Sequence, residues 1–267
     1  MSIGKTDTDD PKWGQRVGQQ VLALMRAGAA LSTLGLRTLR SAVSGKPDRR
    51  VLSYMYEIGN QSLVFLCVVM AFIGMIIVYQ AGLQLMRVIP DMTQLGPTYL
   101  ELLVKDLAAT MCALMLATRV GAGIAAEIGS MVVTEQVDAL KMCSADPVDY
   151  LVRPRFIASL IMTVVLVVVA GTVGAISGML TAEVFLDVQQ RTFLNFSMVD
   201  SGDVVIGLSK CIAYGAAIPI VSAYSGLSTG RGSEGVGAAT TRAVVNSSLA
   251  IIVLDFLLTT AGYLVFE

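Results

Sequence analysis

Two stretches decide the reading: Ile58–Met86, IGNQSLVFLCVVMAFIGMIIVYQAGLQLM, and Phe156–Ala182, FIASLIMTVVLVVVAGTVGAISGMLTA. Neither contains a charged residue. A bilayer core about 30 Å thick is crossed by about 20 helical residues, so each stretch is long enough to span it. Three more segments are long enough but interrupted. Thr98–Thr118 carries Glu101, Lys105 and Asp106, Val204–Leu227 carries Lys210, and Ala243–Phe266 carries Asp255. The expectation is an all-α membrane protein with five transmembrane helices.

Composition points the same way. The 267 residues are 55% hydrophobic and 15% charged, with a mean hydropathy of +0.71. Soluble domains carry roughly 25% charged residues. Charge this sparse excludes a disordered chain. A net charge of −1 leaves no basic surplus for a phosphate backbone, so nucleic acid is excluded as a partner. There is no histidine, the commonest general base and metal ligand. Cys67, Cys112, Cys143 and Cys211 form no Cys-x-x-Cys and read as packing residues, so no metal site is expected.

The basic residues alternate across the spans. Nine of the 19 precede the first span, and Arg119, Lys141, Arg153, Arg155, Arg231 and Arg242 follow the second and fourth. The loops after the first and third hold only Arg87 and Arg191. This positive-inside pattern places the N-terminus in the cytoplasm and the C-terminus outside. The first 50 residues do not read as a signal peptide: Asp7, Asp9 and Asp10 open them, and no apolar run follows a basic start. From Trp13 to Arg40, Val17, Val21, Leu24, Gly28 and Leu31 share one helical side while Arg16, Gln20, Arg26, Arg37 and Arg40 interrupt any span. A basic amphipathic helix in the cytoplasmic interface is the expectation, with packing on a partner protein as the alternative.

Small residues recur at helical spacing in span one (Cys67, Ala71, Gly74, Val78, Gly82) and span three (Gly171, Gly174, Gly178, Ala182). Such stripes let helix backbones approach in lipid, either within one subunit or between two. Ionisable groups at membrane depth are costly and face a partner or a cavity. Glu101 and Lys105 are four apart and can pair. Lys210 has no acidic neighbour on its own helix, so Asp106 or Asp255 across an interface is its candidate partner.

The loop after span two, Arg119–Arg155, carries a short helix. Thr134 is the expected N-cap, Glu135 and Asp138 favour the first turn, and Ser144-Ala145-Asp146-Pro147 stops it. At about ten residues it is too short to span. Gly121, Gly123 and Gly129 are expected to turn the chain beside it. It reads as a docking element for a cytoplasmic partner, or as an ordinary connector.

The runs Ala126-Glu127-Ile128-Gly129-Ser130-Met131 and Val133-Thr134-Glu135-Gln136-Val137-Asp138-Ala139-Leu140, followed by Asp146-Pro147, resemble the signature of the MlaE/YrbE family. These are permease subunits of ABC transporters that work with MCE-domain proteins. Phe72-Ile73-Gly74-Met75 with Gln80, Lys105-Asp106-Leu107, Arg119-Val120-Gly121-Ala122, Gly237–Val245 and Leu254-Asp255-Phe256 extend the resemblance over roughly residues 55 to 267. It implies residues 1–50 as a cytoplasmic N-terminus and 51–267 as the transmembrane permease domain. It implies a homodimer in the bacterial inner membrane that moves phospholipid to or from an MCE-domain protein and contributes to outer-membrane lipid asymmetry. A cytoplasmic ABC ATPase would use the ATP. This chain has no P-loop of its own, since Gly45-Lys46 is followed by Pro47 and lacks the upstream glycine, so no enzyme activity and no directly bound cofactor are expected.

The resemblance further implies a lipid cavity between subunits lined by Phe72, Met75, Ile76, Tyr79, Lys105, Asp106 and Asp255. It implies an ATPase-coupling set of Arg119, Glu127, Gly129, Thr134, Glu135, Gln136, Asp138, Leu140, Asp146 and Pro147. The intramembrane charges leave an ion-coupled secondary transporter as one alternative, and the docking-like loop leaves a membrane scaffold as another. Five spans without an evident inverted repeat speak against the first.

Overall fold

The computed structural model describes residues 28–42, 49–88, 92–230 and 232–266. Among them every regular element is helical. Helix α1 covers 28–42 and α2 Arg49–Val88. A segmented rod follows: α3 (Leu95–Leu102), a π turn (Leu103–Leu107), α4 (Ala108–Leu116), a second π turn (Ala117–Gly121) and α5 (Ala122–Val133). The short α6 is Gln136–Met142. Helix α7 is Arg153–Leu186, preceded by a π turn at Val148–Val152. The one-turn α8 (Gln190–Phe193), α9 (Ser201–Leu227) and α10 (Gly232–Phe266) complete the chain.

Among the described residues, four helical stretches are each long and apolar enough to cross a membrane: Arg49–Arg87, Val148–Leu186, Ser201–Leu227 and Gly232–Val265. The remaining expected span, Thr98–Thr118, lies within the rod, helical throughout but divided by its two π turns. Backbone hydrogen bonds stay internal to these helices, as a hydrocarbon solvent demands.

Helix α2 lies along α7, and the two glycine stripes form that seam. A Cβ on Gly74 would stand 2.5 Å from the Gly174 carbonyl oxygen, and one on Gly178 2.9 Å from Val78 Cγ2. The stripes therefore pack within one subunit. Helix α9 sits among α7, α10 and the rod and is far more buried than α10, most of whose apolar surface is exposed. Its start is held by a capping box: Asp200 accepts from Ser201 N–H at 2.8 Å, and Asp203 accepts from Asp200 N–H at 3.1 Å.

Helix α1 overlaps the last part of the expected N-terminal helix, Trp13 to Arg40. Helix α1 packs against α9 and α10, with Thr38 fully buried and Gly35 facing Ile220. The earlier positions of the expected helix, Trp13 to Arg26, lie outside the described residues.

Candidate functional site

The two π turns place the unusual charges. Lys105 and Asp106 sit on the first, facing α9 and α10. Lys210, whose side chain is fully buried on α9, lies 2.6 Å from Asp106 Oδ1 and 2.8 Å from Asp255 Oδ1. Both partners named from sequence are thus engaged at once. Tyr214, one turn further along α9, donates to Asp255 at 2.6 Å. Thr110 Oγ1 lies 3.2 Å from Asp106 and 3.1 Å from Asp255, so its single proton serves one carboxylate at a time.

Lys105 does not pair with Glu101. It reaches Asp203 at 3.1 Å and stands 4.4 Å from the Tyr263 ring centroid. The π turn is the cause: its i→i+5 bonding widens the spiral, so residues four apart no longer stack as on an α-helix. The three helical elements are cross-linked by two lysines and three carboxylates, which leaves one negative charge in excess. Lys105 is already neutralised, so it offers an anionic headgroup a shared cation rather than a free one.

The other expected lipid-lining residues are elsewhere. Phe72, Ile76 and Tyr79 lie on the exposed face of α2 with Phe65, Val68 and Met86, and Met75 is half-buried beside them. Tyr79 makes an edge contact with Phe185 of α7, at 5.6 Å between centroids. Within one chain, then, Phe72, Met75, Ile76 and Tyr79 form one surface, and Lys105, Asp106 and Asp255 belong to a separate ion-pair network.

The loop helix departs from expectation in detail. Thr134 does not cap α6. It ends α5, donating from its hydroxyl to the Ser130 carbonyl at 2.9 Å. Glu135 stands at the N-cap position of α6 in the left-handed region, φ 59°, and Ser144 follows the helix at φ 58°. These two residues reverse the chain twice, because a left-handed residue breaks the helical path in one step. The turning role expected of Gly121, Gly123 and Gly129 is not theirs. All three are helical; Gly121 and Gly129 instead admit Ser222 of α9 and Thr229 just beyond it, whose hydroxyls would stand 3.0 and 2.8 Å from a Cβ at those positions.

Helix α6 is shorter than expected and stands out from the bundle. Val137 is buried and Leu140 half-buried, while Gln136 and Asp138 are exposed and Met142 is 87% exposed. Asp138 pairs with Lys141 at 2.8 Å. Asp146 accepts from Val148 N–H at 3.0 Å and, with Pro147, opens the turn into α7. Glu127 points back into the bundle at Arg155, and Arg119 is exposed on the second π turn.

Sequence reasoning missed Thr110, Asp203, Tyr214, Arg155 and Tyr263. Asp200-Ser201-Gly202-Asp203 is a readable capping signal. Tyr214 lies four residues after Lys210, on the same helical face.

A family profile described as "Permease MlaE" matches residues 51–261. The chain belongs to the MlaE permease family. It is 35% identical over 248 residues to a probable ABC transporter permease protein of Rickettsia bellii, covering 91% of this chain and 95% of that one. It is 36% identical to a probable ABC transporter permease protein of Synechocystis, with 81% and 83% covered. It is 33% identical to the intermembrane phospholipid transport system permease protein MlaE of Haemophilus influenzae, with 91% and 94% covered. The matched span runs from the start of α2 almost to the end of α10, so it takes in both the ion-pair network and α6 of this MlaE-family permease.

One prediction concerns the α6 hairpin of the permease. Glu135→Gly removes a carboxylate and places the residue that best tolerates φ 59°. The variant is expected to melt at an equal or higher temperature, by up to about 1 kcal/mol of added stability. A thermal melt of the purified variant checks this; a clear loss would mean that the Glu135 side chain itself holds the hairpin.

Proposed function

We propose that this permease is the membrane subunit of an ABC transporter that carries phospholipid between the inner membrane and an MCE-domain protein, driven by a separate ATPase. One observation carries the reading. Between two membrane-length helical rods, a short helix bracketed by left-handed residues projects Asp138 and Met142 outward, as a docking knob for a motor would. Movement there acts on the ends of α5 and α7, and through the rod on the π turn that holds Lys105 and Asp106.

The chain works as a homodimer in this reading. The exposed α2 face then faces the second copy or the lipid between copies, with Phe72, Met75, Ile76 and Tyr79 as acyl-chain contacts. Lys105, Asp106 and Asp255 set the polar end of the path. The ion-coupled alternative loses its motive, because Lys105 and Lys210 are held by carboxylates rather than left to an ion.

The decisive experiment reconstitutes the chain with its ATPase and MCE-domain partner and follows ATP-dependent transfer of a labelled phospholipid. Asp138→Lys with Met142→Asp is expected to abolish ATPase co-purification and transfer while leaving the melting temperature within a few degrees. Normal co-purification would remove α6 as the docking element. Orientation has its own test. Cys143 is exposed beside α6 while Cys112 and Cys211 are buried. A membrane-impermeant maleimide should label Cys143 only after the cytoplasmic side is opened; labelling in intact cells would invert the topology.

A further inference from the structure

A second polar feature lies apart from the ion-pair network. A cavity of about 440 Å³ opens between the first turns of α2, the rod around its second π turn, and the start of α7. That volume lies within the range of about 300–1,000 Å³ usual for small-ligand sites. Glu57 and Gln61 of α2 and Arg119 of the rod are exposed at its rim. Arg155 and Ser62 stand at its floor, 1% exposed each. Ser62 Oγ and Arg155 Nε are buried without a hydrogen-bond partner.

Buried polar atoms without partners are uncommon and costly, about 1–3 kcal/mol each. Both atoms are closed off from solvent, so they lie beneath the cavity surface rather than open onto it. The charges narrow the ligand. Arg155 is taken up by Glu127, by the Leu151 carbonyl and by the face of Tyr54, whose centroid is 4.6 Å away. Arg119 and Glu57 line the same cavity, and neither forms an ion pair among the described residues. A purely anionic ligand would be held by Arg119 but repelled by Glu57. A zwitterion with a phosphate and an ammonium group satisfies both. Ile58, Val120 and Ile124 add apolar wall for the carbon atoms next to the phosphate.

The level of the cavity points to the source of that zwitterion. It is built from Tyr54–Ser62, close after Arg49 and Arg50, and from Arg155 at the head of α7. This is the end of the bundle that carries α6, where basic residues collect and the headgroups of that leaflet lie.

We infer that this cavity is a headgroup-binding site for a zwitterionic phospholipid of the α6-side leaflet, separate from the intramembrane network. Arg119 binds the phosphate and Glu57 the ammonium group. The inference rests on the lipid-permease reading and deepens it: the site would hold a lipid before it enters the transport path or after it leaves.

The test places a photo-crosslinking benzophenone amino acid at Gln61 of the full chain in nanodiscs. The discs contain equal phosphatidylethanolamine, phosphatidylglycerol and diacylglycerol, and mass spectrometry identifies the adducts. Phosphatidylethanolamine adducts are expected to exceed each of the others about tenfold, the effect of one charge-assisted hydrogen bond. Arg119→Gln and Glu57→Gln should each erase the preference, while Gly237→Ala, outside the cavity lining and with open space at its Cβ, should not. Equal adducts from the three lipids, or a preference that survives both substitutions, would overturn the site. Soluble glycerophosphoethanolamine that abolishes the lipid adduct at equal concentration would also overturn it, showing a soluble ester to be the ligand. The readout needs no transport. A failed transfer assay with an intact adduct pattern therefore removes the transport reading alone, and the reverse result removes the site alone.

Discussion

Lys210→Met is expected to cost about 3–5 kcal/mol, enough to remove most folded protein from a detergent extract. The side chain is wholly enclosed, and its ammonium group lies within 2.8 Å of both Asp106 and Asp255. Methionine matches its length and apolar stem, so packing changes little. What changes is electrostatic. Two carboxylates that shared one cation are left facing each other, with Tyr214 and Thr110 as their remaining donors. Breaking a buried pair from one side is costly because the surviving charge keeps its desolvation penalty. Removing all the charges together is not. The triple variant Lys210→Met, Asp106→Asn, Asp255→Asn is therefore expected to regain most of the lost stability. Thermal unfolding in one detergent, at one protein concentration, compares the three proteins. A triple variant as unstable as the single one would show that packing, not charge, is what Lys210 supplies. If the triple variant folds yet fails in phospholipid transfer, the network serves transport as well as structure.

The second large effect lies at the α2–α7 seam. Gly74→Ala should destabilise by about 1–3 kcal/mol, although alanine is the better helix former by about 1 kcal/mol. Its Cβ would stand 2.5 Å from the Gly174 carbonyl oxygen, 2.7 Å from Ser177 Oγ and 2.9 Å from Tyr99 Oη. That carbonyl accepts hydrogen bonds from Tyr99 at 3.0 Å and Ser177 at 2.9 Å. Backbone cannot give way as a side chain can, so the helices must separate and strain both bonds. Gly82→Ala is the graded control, because its nearest neighbours are the terminal atoms of Leu186, which can rotate aside. Gly237→Ala meets nothing within 4 Å and should gain stability from helix propensity. Melting temperatures are expected to fall in the order Gly237→Ala, wild type, Gly82→Ala, Gly74→Ala. Equal values for Gly74→Ala and wild type would mean that the seam is looser than these distances imply.

The parts legible in sequence were those set by solvent and period. A charge-free run such as Ile58–Met86 has one stable form in lipid, so α2 and α7 needed no tertiary information. The small-residue stripes named the faces that approach. Lys210 named its own partners, because a buried cation must find a carboxylate and only a few lie at the right depth. Other features depended on local geometry that residue spacing does not carry. Glu101 and Lys105 are correctly spaced for an α-helix, but a π turn intervenes and Lys105 goes to Asp203. Thr134 has the chemistry of an N-cap, yet Glu135 takes the left-handed turn and leaves Thr134 closing the helix before it.

Composition, apolar run length and charge asymmetry were enough to establish a helical membrane protein, and the Thr134–Leu140 block enough to place it in its family. These depend on what each segment does against lipid or water, one segment at a time. Which lysine meets which aspartate, that the stripes close within one chain, and that Ser62, Arg119 and Arg155 enclose a cavity were decided only by folding. They join residues from 36 positions apart (Arg119 and Arg155) to 104 (Asp106 and Lys210), and their pairing depends on how whole helices turn against one another.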